Sequence, residues 1–185
     1  MAAIALYDRL GFAEISRRLS VELDMLESRL AARPTGTSSV CTCTEPYDEL
    51  CDRDPSMLRR LARELSDRMG AVVLGLGVEE GSVVRFVLLE RGRVVDEYLS
   101  VPEFYGPLPP GDVVAMAANP TAVARLTGAE PGRVRALART ASSPADLAPA
   151  GELLGELADA FGLPGGDHGY AHARSLPGAV LIDRP

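Results

Sequence analysis

The sequence has no lysine and no tryptophan, and only 2 histidines and 3 cysteines among 185 residues. All 19 basic residues are therefore arginine, and 26 acidic residues bring the formal net charge to -7. That balance argues against nucleic-acid or anionic-membrane binding by the surface as a whole; only a local basic patch is left open. The odd cysteine count fits a reducing compartment better than a disulfide framework. No run of 18 apolar residues occurs, so no membrane-spanning helix is expected. The apolar start Met1–Leu6 stops at Asp8-Arg9, short of a secretory apolar core. The expectation is a cytoplasmic protein that does not engage a membrane. The phosphate-cradling patterns G-x-x-x-x-G-K-S/T and G-x-G-x-x-G are missing, as is the nucleophile elbow G-x-S-x-G.

What is present centres on Ala71–Ser100. Three short apolar, β-branched runs, Ala71–Val78, Ser82–Leu89 and Arg93–Ser100, are separated by spacers containing Gly81 and Gly92. Such spacers are hairpin signals, so the stretch predicts a three-stranded antiparallel meander. Before it, Leu58, Leu61, Ala62, Leu65 and Met69 form one apolar face, with Gly70 as the stop. A helix packed on an antiparallel sheet is the α+β solution to burying a sheet face. The predicted fold class is α+β: a meander packed by helices, with an N-terminal helical arm.

The arm covers residues 1–33. From residue 4 onward it reads as helical, and Phe12, Ile15, Leu19, Leu23, Leu26 and Leu30 share one stripe until Pro34 and Gly36. The stripe suits packing on the chain's own core, or a protein partner or second copy laid along it. Residues 34–55 read as a flexible linker carrying Cys41, Cys43 and Cys51. These thiols have the ligand types for zinc or copper(I), completed by His168 or His172, but lack paired C-x-x-C spacing. Free thiols are the simpler reading, and no metal or cofactor is expected. Residues 56–185 form the α+β domain.

After the meander, a loop with four prolines carries Phe104 and Tyr105 side by side. Helices are then expected from Asp112 to Gly162, with Asn119 as a cap and breaks at Gly128, Pro144 and Pro149, and residues 178–182 as a short strand. Within them, Pro120–Arg139 places Val123, Ala124, Gly128, Val134 and Leu137 where a helix-turn-helix unit wants apolar, small, glycine, apolar and apolar residues. Residues 119–141 carry four arginines, Arg125, Arg133, Arg135 and Arg139, against the single acid Glu130. Asn, Gln and Ser are missing from the second helix, so the simpler expectation is a helical hairpin that covers the sheet and pairs its arginines with acids.

No catalytic residue stands out. If an enzyme site exists, it lies where Tyr98, Phe104, Tyr105, His168 and Tyr170 converge, from the 98–105 and 167–172 segments. Asp96 and Glu97 are strand neighbours, so they should point to opposite faces and not act as a carboxylate pair.

From Met57 to about Pro177 the chain resembles an uncharacterised family of bacterial cytoplasmic α+β domains. The resemblance is carried by the Val72–Val78 strand, Ser82-Val83-Val84, the Arg91-Gly92-Arg93 turn, Asp96-Glu97-Tyr98, Ser100 with Pro102, Leu163-Pro164 and Gly169-Tyr170. It implies no activity and supplies no site residues. The leading expectation is a non-enzymatic protein-interaction or accessory module. The alternatives are a DNA-binding regulator using residues 120–139 and a small enzyme.

Overall fold

The computed structural model describes residues 3–7, 37–41 and 56–163. The meander is there: β3 (Val72–Glu79), β4 (Val83–Glu90) and β5 (Arg93–Leu99) pair antiparallel in that order. Both turns follow from their glycines. Ser82 donates to the Glu79 carbonyl across Glu80 and Gly81, which have φ of 49° and 65°. Arg91 and Gly92, with φ of 50° and 73°, close the second hairpin as a two-residue turn whose twist matches that of the strands.

Two strands extend the sheet beyond the meander. β1 (Ala3–Tyr7) pairs parallel with β3, and β2 (Thr37–Cys41) pairs parallel with β1, giving the order β2-β1-β3-β4-β5. This corrects two expectations. Residues 4–7 are strand and not the start of a helix, and residues 37–41 are strand and not linker. A five-residue apolar run is ambiguous by periodicity alone. What decides it is β3: its first five residues are all buried, and a strand of that kind belongs inside a sheet with its open edge paired. The rest of the arm, with Phe12, Ile15, Leu19, Leu23, Leu26 and Leu30, lies outside the described residues. So do Cys43, Cys51, His168, Tyr170, His172 and the tail at 178–182.

Helices cover both faces of β3 and β4. α1 (Ser56–Met69) crosses β3, β4 and β5 on one face, burying Ala62 and Leu65. On the other face Val72, Leu74, Leu76, Val84, Phe86, Leu88 and Tyr98 meet the C-terminal helices in one core cluster. These helices are α2 (Pro110–Ala115), α3 (Pro120–Thr127), α4 (Pro131–Leu137) and α5 (Ala150–Ala160), with a 3-10 turn at Pro144–Asp146. α5 lies on β3 and β4 through Leu153, Leu154 and Leu157, and α3 touches β5. Phe86 is the centre, stacked on Tyr98 at 5.2 Å and edge-on to Phe161 at 5.5 Å. Each such side chain contributes about 1.5–3 kcal/mol by burial.

The helix starts are local chemistry. Asn119 accepts from the N–H groups of Thr121 and Ala122 ahead of Pro120, and Gly128 closes α3 with a left-handed φ of 81°. Glu130 does for α4 what Asn119 does for α3, accepting from Gly132 and Arg133.

Candidate functional site

From Val83 to Leu89 β4 is apolar except for Arg85, and that charge organises the polar side of the sheet. Arg85 stands opposite Gly77 on β3 and Leu99 on β5. With no side chain at Gly77, the guanidinium reaches diagonally to both neighbouring strands. Its Nη1 lies 2.7 Å from Glu79 Oε1 and its Nη2 3.9 Å from Glu97 Oε1. Glu97 also meets Arg59 of α1 at 3.2 Å, and Tyr105 donates to Glu79 Oε2 at 3.0 Å. The chain Tyr105–Glu79–Arg85–Glu97–Arg59 therefore ties the proline-rich loop to α1 across three strands. Glu79, Arg85 and Glu97 have side chains only 11–17% exposed, so screening by solvent is weak. Each carboxylate meets an arginine, and these pairs hold the loop, the strands and α1 to one another. Its one sequence signal is the lone arginine in an apolar strand; its partners depend on strand register.

Asp96 and Glu97 do point to opposite faces. Glu97 joins this ladder, while Asp96, beside the β-bulge between Leu88 and Leu89, is buried and accepts from the Asn119 N–H at 2.9 Å. Burial pushes the Asp96 carboxyl up to about 6, against the hydrogen bonds from Asn119 and Glu97 N–H groups, which pull the other way.

Of the residues expected to form a pocket, the described ones divide between two clusters. Tyr98 is a core residue, fully buried, with its hydroxyl donating to the Arg139 carbonyl at 2.8 Å. Burial raises its phenol pKa, which leaves it a neutral donor. Phe104 packs with Val83, Leu99, Val101, Met116 and Leu147 in a second, smaller cluster. Tyr105 sits edge-on to Phe104 at 5.0 Å and is 60% exposed. His168 and Tyr170, expected beside them, lie outside the described residues. Among the described residues no group of His, Cys, Asp or Glu is arranged to hold a metal ion, and no helix is long and apolar enough to cross a membrane. A cleft of about 240 Å³ between α1 and the β4–β5 turn is lined by Arg63, Glu64, Asp67, Arg91, Gly92 and Arg93. Its mixture of signs gives it no clear preference for an anion or a cation.

Two surfaces stand out instead. The first is α2, an apolar segment (Val113, Val114, Ala115, then Met116, Ala117 and Ala118) in whose helix no residue is buried. Val114 is 72% exposed, and the prolines at 107, 109 and 110 are exposed beside it. The Met116 carbonyl accepts from Leu99, so the segment is fixed to the end of β5, and Phe104 links it to Tyr105. The second is the helix pair α3–α4. Val123 and Val134 are fully buried, as the sequence pattern requires, and Arg125 pairs with Glu90 at 3.5 Å. The expectation that the second helix covers the sheet is corrected: α4 packs on α3 and α5, and Arg133, Arg135 and Arg139 are exposed. The cause is length, because a seven-residue helix anchored at Val134 has only one buried turn to offer.

Comparison of the chain with protein-family models, with curated proteins and with solved structures finds no match.

Proposed function

We propose that this chain is a non-enzymatic protein-interaction or accessory module of the cytoplasm. The observation that carries the reading is α2. Val114, Ala115 and Ala117 stand exposed on a segment held to the sheet end, with Val113 and Met116 half-buried beside them. Leaving such residues in water forgoes the stabilisation of burial, and contiguous apolar surface of this kind marks protein contacts. Tyr105 extends the patch with an aromatic ring, a residue type that anchors interfaces. The stripe Phe12, Ile15, Leu19, Leu23, Leu26 and Leu30 supplies a second candidate contact for a partner or a second copy.

Light scattering on the whole chain tests this, alongside the Val114→Asp and the Leu19→Asp plus Leu23→Asp variants. The expected result is a complex heavier than the 19.6 kDa monomer, with itself or with a co-purifying protein, that at least one variant dissolves while remaining folded. A 19.6 kDa monomer in all three, with identical co-purifying species, would remove the reading.

A further inference from the structure

The helix pair α3–α4 is not needed by the protein-docking reading, and its outer face has a chemistry of its own. On the helical wheel Val134 and Ala138 point inward with Leu137 beside them. The opposite side presents Gly132 and Ala136 at its middle, with Arg133 and Arg135 to either side and Arg139 two residues past the helix end, all exposed. Among the described residues none of these three arginines forms an ion pair, whereas Arg59, Arg85 and Arg125 each do. The only acid in residues 119–141 is Glu130, and its carboxylate is turned onto the backbone N–H groups of Gly132 at 2.8 Å and Arg133 at 2.6 Å. In a chain of net charge -7, Arg133 and Arg135 on this short helix, with Arg139 just past its end, make a local excess of positive charge over the one acid of residues 119–141.

Shape and charge select the partner. Small residues at the middle of the face let the helix backbone come close, and long cationic side chains at its edges reach outward to either side. A groove bounded by two rows of phosphates has that form. The face carries no leucine or aromatic anchor of the kind a protein hot spot uses. Gly128, with its left-handed φ of 81°, sets the turn between α3 and α4, whose Val134 is anchored in the core while the other side faces out. We propose that the outer face of α4, with Gly132 and Ala136 at its middle, Arg133 and Arg135 to either side and Arg139 just past its end, docks double-stranded nucleic acid through its phosphates. Contacts made to phosphates make binding depend little on sequence. The acidic remainder of the chain confines binding to low salt.

The test is fluorescence anisotropy of the whole chain on a labelled mixed-sequence duplex. Three phosphate contacts predict that affinity falls about 40-fold between about 50 and about 200 mM salt. Arg133→Ala plus Arg135→Ala leaves one contact and reduces that loss to about 3–4-fold, with weaker binding at low salt. Both positions are exposed, so thermal unfolding of the double variant should match the parent and report that the fold is intact. No binding at low salt would overturn the proposal, as would binding that the double variant leaves unchanged. Equal or tighter binding to polyglutamate would also overturn it and reassign the face to an acidic protein partner.

Discussion

Alanine at position 92 is expected to lower the unfolding free energy by about 2–5 kcal/mol, through a left-handed backbone cost of about 1–2 and a crowding cost of about 1–3. Gly92 has φ of 73° in the β4–β5 turn, where a side chain is strained whatever the space. Here there is no space either. A Cβ would stand 2.8 Å from Asp67 Cβ and 3.0 Å from Asp67 Oδ1, because α1 lies directly over the turn. The turn cannot move away cheaply. Gly92 N–H donates to Ser66 Oγ at 3.0 Å, and the same hydroxyl donates to the Ala71 carbonyl at 2.8 Å. Ser66 is fully buried, so separating these groups leaves polar atoms unpaired away from water. Gly81 is the control: its φ is 65°, and nothing lies within 4 Å of a Cβ built there. Gly81→Ala should therefore cost only the backbone part, about 1–2 kcal/mol. Urea unfolding of the two variants separates the terms; equal losses would show that α1 does not press on the β4–β5 turn.

Asp96 should make the protein less stable as pH rises from about 4 to about 6. Its carboxyl is pushed up to about 6 in the folded state from an ordinary value of 3.8, and burial is the main cause. Below the ordinary value both folded and unfolded chains hold the proton, and the buried group carries no penalty. Between that value and about 6 the folded state keeps a proton that the unfolded chain has released. Above it the folded state must hold a buried carboxylate, at a cost of about 3 kcal/mol. The favourable contribution is thus complete below about pH 4 and lost as pH rises through about 6. Asp96→Asn keeps an acceptor for the Asn119 N–H and removes the charge. It should stabilise the protein by about 1–3 kcal/mol at pH 7.5 and have little effect near pH 4, the range reflecting partners its amide must find. Chemical unfolding at the two pH values measures the difference. A variant destabilised equally at both would mean that Asp96 is held by its hydrogen bond and does not suffer from its burial.

What the sequence made legible was mostly local. The meander strands lie within a residue of where Gly81 and Gly92 placed them, and Asn119, Gly128 and Pro149 mark helix ends as expected. Val123 and Val134 face inward because helical spacing alone settles that. What stayed hidden depends on distant pairing. Ala3–Tyr7 pairs with residues about seventy positions away, and nothing within a five-residue apolar run says so. Tyr98 read as a pocket wall because tyrosine carries a polar end; the group that satisfies it is the Arg139 carbonyl, 41 residues on. The ladder through Arg85 needs the register of three strands at once. The exposure of α4 turns on how few of its seven residues find a neighbour, which composition does not report.

Amide hydrogen exchange on the whole chain in dilute solution is the most direct test of the central claim, a rigid sheet carrying an uncovered apolar segment. The amides of Val73–Leu76 in β3 and Phe86–Leu89 in β4 should exchange only through global unfolding, since helices cover both faces of these strands. Those of α2, from Asp112 to Ala115, should exchange far faster, at a rate that Val114→Asp does not change. Protection of α2 equal to that of β4 would contradict the account, because the apolar run would then be part of the core and no longer a surface waiting for a partner.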